Sequence, residues 1–407
     1  MAIEFDNSIG EADVAPRSPA CIKVIGVGGA GCNAVNTMIE RGVMGVEFIV
    51  ANTDVQDLRR SKAAKKIHLG DELTRGLGAG MNPEVGRKAA EEARALIADA
   101  LEGADMVFVA AGMGGGTGSG AAPIVAEVAR SQEALTVGVA TIPFVHEGGK
   151  RNEIAKQGIA DLEERVDTLI AIPNQRLISV MPRNATVRDS LFYVDGVLFN
   201  AVKGIVDLIQ SEGHMNLDFA DVRAVMKDRG KAIMGIGEAQ GEDRMLQATI
   251  QALKHPLLED IDIKGCQGVL YNVTANPEYL GLHEFSDAVT YIEQAAGGSA
   301  KIIQGLVYDD TMPPELVRVT VVAAGIGQGE LRRMRPVTVE RPAPQQERAT
   351  GTFGAHPAQP SIDTPTIIRQ GGTHVPRRTR SGAVHNNPEL PVEDPLDVPT
   401  FLRRQAD

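Results

Sequence analysis

The sequence predicts an α/β protein: a Rossmann-like parallel-sheet domain, a long central helix, and a smaller C-terminal α/β domain with a mixed sheet. Three observations carry this expectation. Continuous apolar runs alternate with amphipathic stretches, the pattern of strands covered by helices on both faces. Two Gly-rich turns each follow an apolar run and open a helix. At mid-chain stands one long stretch that is apolar on more than one stripe.

The elements follow in order. IKVIGVG, from Ile22, reads as a buried strand, and NAVNTMIER, from Asn33, as a helix stopped by Gly42. VEFIVANTD, from Val46, is the next strand. Asn82-Pro83 opens a helix through EVGRKAAEEARALIADALEG, with proline in its first turn and Gly103 at its end. DMVFVAAG, from Asp105, is a strand that runs into GGGTGSG and the helix AAPIVAEVARS. LTVGVATIP is a strand, NEIAKQGIADLEERV a helix and TLIAIPN a strand. Residues 195–211 form the central helix, roughly 25 Å long at 1.5 Å per residue. Its apolar set leaves no clean polar face, which suits a connector buried between two domains. Beyond it, the helices DFADVRAVMKD, DRMLQATIQALKH and EFSDAVTYIEQAA alternate with the strands KAIMGIGEA, GVLYNVTANP, AKIIQGLVYD and LVRVTVVAAG.

The expected organisation is a disordered N-terminal segment (1–19), a nucleotide-binding domain (20–194), the central helix and following loop (195–217) and a C-terminal domain (218–330). A disordered Pro/Arg-rich linker (331–390) and a terminal peptide (391–407) complete it. Half of the 22 prolines lie between Pro336 and Pro399, where apolar clusters are sparse. Such a segment buries too little surface to offset its chain entropy.

Composition excludes several classes. The chain has 407 residues, 43% of them hydrophobic, and a net charge of −12. Its linker is basic, so the folded body is the strongly acidic part and repels a nucleic-acid backbone. No run approaches the ~20 apolar residues of a membrane span. The N-terminus is acidic and lacks the pattern of a secretory signal. Three cysteines without a C-x-x-C support neither a zinc site nor a disulfide framework, and the eight histidines show no metal spacing. A cytoplasmic protein with reduced thiols is expected.

The chemistry lies in the glycine loops. Gly26-Val-Gly28-Gly29-Ala-Gly31 fits both a dinucleotide fingerprint and any phosphate site at a helix N-terminus. The second loop, Gly112-Met-Gly114-Gly115-Gly116-Thr117-Gly118-Ser119-Gly120, is richer still, as a nest of backbone donors around a polyphosphate requires. Gly76-Leu-Gly78-Ala79-Gly80 fits a loop closing over the ligand. No G-x-x-x-x-G-K-[ST] occurs, so phosphate charge must be met by N–H groups, helix dipoles, a divalent cation and Arg151.

The motifs GVGGAGCNAV, ANTD, GLGAG, GGGTGSG, PFVHEGGKR, IPNQRL and NLDFADV occur in this order. In them, and over residues 20–330 and the final tail, the chain resembles the FtsZ family of bacterial tubulin-like division GTPases. The resemblance implies a tubulin/FtsZ-like fold, GTP as substrate, GDP as product and Mg²⁺ as cofactor. It places Gly29, Ala30, Gly31, Cys32 and Asn33, with Gly114, Gly115, Gly116, Thr117 and Gly118, on the phosphates. Asn52, Ala79 and Gly80 match loops near the γ-phosphate, and Thr141 a position lining the site. Glu147 matches the ribose-binding acid and Arg151 its neighbour, while Asn174 and Asp195 match the guanine readers. By position alone, Asp195 reads as the N-cap of the central helix. The family often stacks an aromatic on guanine just before that helix. Here Leu191-Phe192-Tyr193 leaves Leu191 or Phe192 for the role.

Asp218 and Asp221, spaced i, i+3 at a helix start, read by themselves as capping and dipole-stabilising acids. The resemblance makes them catalytic, with Asn216, on a loop that enters the nucleotide site of the next subunit. It implies a head-to-tail homopolymer at the mid-cell division ring. It also implies that residues 391–407, PVEDPLDVPTFLRRQAD, dock on membrane-tethering adaptors and division regulators, without membrane insertion and without nucleic acid. Two other readings stand beside this one: an NAD(P)-binding Rossmann oxidoreductase with Asp54 on the ribose, and a GTP-binding scaffold without hydrolysis.

Overall fold

The computed structural model describes residues 20–182, 184–210, 218–258, 263–298, 300–309 and 312–326. The expected N-terminal segment, the linker, the terminal peptide and Asn216 lie outside them. The strands are β1 (Ile22–Val27), β2 (Val46–Asn52), β3 (Lys65–His68), β4 (Met106–Gly112), β5 (Leu135–Ile142), β6 (Thr168–Pro173), β7 (Gly230–Ala239), β8 (Gly268–Ala275), β9 (Lys301–Tyr308) and β10 (Val317–Ala324). The helices are α1 (Gly28–Glu40), α2 (Val55–Arg60), α3 (Asp71–Thr74), α4 (Pro83–Glu92), α5 (Arg94–Leu101), α6 (Gly116–Ser131), α7 (Gly149–Glu163), α8 (Asn174–Leu177), α9 (Val187–Gln210), α10 (Phe219–Met226), α11 (Arg244–Leu253) and α12 (Leu282–Ala296).

All ten strands belong to one sheet, ordered β3-β2-β1-β4-β5-β6-β7-β10-β8-β9. The first six run parallel, and β7 continues them through three residue pairs, Thr168 with Gly230 to Ile170 with Ala232. Only β10 runs against its neighbours β7 and β8, while β8 and β9 are parallel. Nine strands therefore point the same way. The sheet has one carboxyl edge and one amino edge across both halves of the chain.

Local sequence explains most element ends. Asn82 caps α4 by accepting the Glu84 N–H at 3.0 Å, with Pro83 in the first turn. The helix expected to run unbroken to Gly103 turns at Ala93 and continues as α5. Helices α1 and α6 begin inside their glycine loops, at Gly28 and Gly116, a few residues earlier than expected.

The central helix differs most. It starts at Val187, eight residues before Asp195. The reason is a capping box: Thr186 Oγ1 accepts the Asp189 N–H at 3.1 Å, and Asp189 Oδ2 accepts the Thr186 N–H at 3.0 Å. Asp195 is consequently a mid-helix residue, and the N-cap reading of it is wrong. With 24 residues, α9 is roughly 36 Å long.

Three apolar clusters hold the layers. One face of the amino-terminal half packs α4–α7 against the sheet through Val109, Ile97, Val125 and Leu162. On the other face α9 presents Val197, Leu198, Ala201, Val202 and Ile205 to residues of both halves, Phe108 and Val137 with Leu270 and Val322. The third cluster lies in the carboxyl-terminal half around the fully buried Tyr271 and Met245.

Close backbone packing fixes α4 against α6. A Cβ on Gly86 would fall on the carbonyl oxygen of Gly116 and stand 3.1 Å from the Thr117 Cα. Gly86→Ala is expected to cost about 1–3 kcal/mol by overpacking. A urea unfolding curve should show the loss as a lower midpoint at unchanged slope.

Candidate nucleotide site

Strand β1 ends at Val27 and α1 starts at the next residue; β4 ends at Gly112 and α6 starts at Gly116. Because β1 and β4 are adjacent, both helix N-termini open on the same point of the carboxyl edge. Neither helix has an acidic residue in its first turn. Their free N–H groups and dipoles therefore favour an anion. The α6 N-cap is Gly115, around which a Cβ would meet nothing within 4 Å: it faces open space.

A cleft of about 280 Å³ occupies this edge. Gly29, Ala30 and Asn33 line it from α1, and Gly115, Gly116, Thr117 and Gly118 from α6. Thr141 lines it from the end of β5, Glu147 from the turn that follows, Arg151 from α7, Asn174 from the start of α8, and Leu191 and Asp195 from α9. A second hollow of about 340 Å³ shares Asn33, Leu191 and Asp195 with the cleft and adds Phe192 and Arg188. Leu191 thus faces both spaces, whereas Phe192 lines the outer one, with the Arg188 guanidinium 5.4 Å from its ring centre.

Close backbone packing and the other expected contacts support this lining. Gly31 packs on the Ala110 carbonyl and Gly118 on that of Gly112, where any side chain would clash. Several loop glycines therefore serve backbone packing rather than the ligand itself. Gly114 takes a left-handed φ of 94° and donates its N–H to Ser119 Oγ at 2.8 Å. Asn52 is buried and donates to Asp57 Oδ2 at 3.2 Å. Ala79 is buried against Gly116, and Gly80 follows it with no neighbour at its Cβ position. Cys32 is buried too; burial and the charge of Asp57 push its thiol up to about 12, so it is a neutral packing group.

Polar groups of the cleft await partners. The Asn174 Oδ1 and the Arg151 Nε are buried without a hydrogen bond. Arg151 also pairs with Glu147 at 3.3 Å, and Glu147 Oε1 accepts the Phe144 N–H at 2.8 Å. These atoms fit a ligand that carries both donors and anionic oxygens. Asp54, the ribose acid of the oxidoreductase reading, is instead spent as the cap of α2, accepting the Gln56 N–H at 2.7 Å.

Asp218 and Asp221 do not line the cleft. Asp218 is the N-cap of α10, and Asp221, in its first turn, pairs with Lys301 at 3.0 Å. Lys301 is the first residue of β9. Arg223 on the same helix donates to the Glu133 carbonyl at 3.0 Å, just before β5, and Thr168, the first residue of β6, donates its hydroxyl to the Met226 carbonyl. Helix α10 therefore sits at the amino edge. From Leu135 to Thr141 on β5 the two edges are separated by about 20 Å, at roughly 3.3 Å per residue.

Two glycine loops at helix N-termini on the carboxyl edge of a parallel sheet define a phosphate-binding α/β protein. The profile of the "Tubulin/FtsZ family, GTPase domain" matches residues 21–182, and that of the "FtsZ family, C-terminal domain" residues 230–327. The chain is 48% identical to the cell division protein FtsZ of Pseudomonas aeruginosa, over 95% of this chain and 97% of that protein. It is 43% identical to the FtsZ of Neisseria meningitidis over 99% of both. The empty FtsZ dimer of M. jannaschii superposes with a TM-score of 0.73 at 43% identity, covering 76% of this chain and 90% of that one. The chain belongs to the FtsZ family of tubulin-like GTPases. Among the described residues, no helix is long and apolar enough to cross a membrane.

Burial raises the Asp195 carboxyl from its ordinary value to about 6, against the lowering charge of Arg41. The ligand-free fold therefore binds a proton more tightly than the unfolded chain. Asp195 costs stability above about pH 6, and the cost is relieved as pH falls from there toward the ordinary carboxylate range near 4. Asp195→Asn is expected to raise the Tm of the nucleotide-free protein at pH 7.5. The gain over wild type should shrink as scans are repeated down to about pH 5.

Proposed function

We propose that this chain is a GTPase that polymerises head to tail at the cytoplasmic division ring and hydrolyses GTP at the junction between subunits. The observation that carries this is the separation of the cleft and the acids Asp218 and Asp221 on opposite edges of one sheet. No acid of α10 reaches the cleft of its own subunit. Stacking a second copy carboxyl edge to amino edge brings the two together, and a relative of this chain is known as an FtsZ dimer.

In this reading the phosphates lie across Gly29–Asn33 and Gly114–Gly118, held by backbone N–H groups and the two helix dipoles. Thr141 lines the phosphate end, while Asn52, Ala79 and Gly80 support it from behind. Glu147 holds the ribose and orients Arg151. Asp195 accepts from the N1–H and the exocyclic amine of guanine, the Asn174 amide completes the edge, and Leu191 covers the base. Adenine has no such donor pair, and leaving the buried acceptors unpaired costs about 1–3 kcal/mol.

Asp57, behind Gly29 and hydrogen-bonded to Asn52, would be the carboxylate to hold a Mg²⁺. That ion would supply the charge neutralisation that a P-loop lysine gives elsewhere. Asp218 and Asp221 of the neighbouring subunit, with Asn216, orient the water that attacks the γ-phosphorus and accept its proton as GDP leaves. Residues 391–407 dock on membrane-tethering adaptors, with Phe401 and Leu402 as the apolar contact and Arg403 and Arg404 as charge for an acidic rim. Many copies on one filament make that weak contact strong by avidity.

Asp221→Ala is expected to bind GTP with wild-type affinity and to hydrolyse it at least ~100-fold more slowly, a typical loss for one general acid–base group. Specific activity of the wild type should climb with protein concentration. Activity per subunit that stays flat down to the dilute monomer overturns the shared site. Deleting residues 391–407 should leave GTP hydrolysis unchanged and abolish recruitment to vesicles coated with adaptor. Equal recruitment of the truncated chain moves the docking element into the folded body.

A further inference from the structure

We propose that Arg41 is a positioning residue for base recognition: its fixed charge at the end of α1 holds the Asp195 carboxylate ionised and so sets the lower pH limit of guanine binding. The inference rests on the reading of Asp195 as the guanine acceptor.

The geometry is specific. Arg41 is the C-cap residue of α1, anchored by its N–H to the Thr37 carbonyl at 3.0 Å. Its guanidinium lies over the ring of Phe199, 5.0 Å from the centroid. The two terminal nitrogens stand 3.3 and 3.4 Å from where a Cβ on Gly196 would sit. Gly196 directly follows Asp195 on α9 and is buried. An aromatic face and a glycine notch thus fix a planar cation beside the backbone that carries the carboxylate. A side chain at 196 would push the guanidinium away.

The other charges around Asp195 are committed elsewhere. On α1, Glu40 pairs with Lys62 at 2.7 Å. On α9, Arg188 lies over Phe192. Beyond β5, Arg151 pairs with Glu147. Arg41 forms no ion pair among the described residues, and it is the charge that draws the Asp195 carboxyl down against burial. Losing it leaves burial unopposed. The carboxyl then stays protonated to higher pH, and a protonated acid offers guanine one acceptor fewer where N1–H and the amine both donate.

The test compares full-length wild type, Arg41→Met and Arg41→Lys by displacement of a fluorescent guanine nucleotide from about pH 5.5 to 8.5. The ratio of dissociation constants at each pH cancels titration of the nucleotide itself. Because Arg41 is exposed, its effect is discounted for solvent to about half a pKa unit: GDP should bind Arg41→Met about twofold more weakly at pH 6, approaching threefold toward pH 5.5, and equally at pH 8.5. The gap should narrow in about 0.5 M salt, and Arg41→Lys should follow wild type. A ratio that is the same at every pH assigns Arg41 to packing alone and overturns the proposal, as does no loss at any pH. Asp195→Asn separates the two layers. If that variant binds GDP as wild type does, the guanine reading fails. If it binds weakly but Arg41→Met still imposes a pH-dependent loss on top of it, the guanine reading stands and the Arg41 proposal falls.

Discussion

Backbone meeting backbone at the ends of β1 and β4 is the constraint on which the rest of the site depends. Gly31 lies on the Ala110 carbonyl, Gly118 on the Gly112 carbonyl, and a Cβ on Gly112 would fall 2.5 Å from that of Ala30. No larger residue fits at these crossings. They draw two helix N-termini to one place, so that their free N–H dipoles converge where a lysine is absent. The glycines thus serve two ends: Gly31 and Gly118 let helices approach strands, and others, such as Gly29 and Gly115, line the open space itself.

Helix α9 carries the second dependence. Its first turns supply Leu191 and Asp195 to the cleft, and its later turns fill the core between the sheet residues of both halves. Asn272 of β8 donates to the Gly204 carbonyl at 3.2 Å, and Thr320 of β10 closes on Gly204 as well. The α9 side of the cleft and the carboxyl-terminal half therefore share one helix. A ligand that shifts α9 along its axis has a mechanical path to the strands beyond it, through packed side chains rather than a loop.

The polarity of the sheet frames the assembly. With nine strands pointing one way, the cleft stands on one edge of the sheet and Asp218 and Asp221 on the other, so the two edges are unlike. A contact between unlike edges is heterologous, and when its rotation does not close a ring it extends into a filament. In the proposed polymer each subunit lends its acids to one neighbour and borrows those of the other, so turnover of the nucleotide and of the contact are coupled by construction.

Local sequence settles the alternation of elements and both glycine loops, as apolar runs and glycines at strand ends, whereas Thr141, Glu147, Arg151, Asn174 and Asp195 were legible only through the resemblance of their motifs to a family. It also held a signal for the true start of α9, the Thr186-x-x-Asp189 capping box, which is legible once Asp195 is not assumed to be the cap. The short edge strand β3, four residues with two lysines, gave too little alternation to register. Only the tertiary structure decided which glycines face the cleft and which fill crossings, since that depends on what lies across the gap. It alone placed Asp218 and Asp221 about a strand's length from the cleft, because chain order says nothing of which sheet edge a helix caps. It alone brought Arg41, at the end of α1, against Gly196, the residue that follows Asp195 on α9.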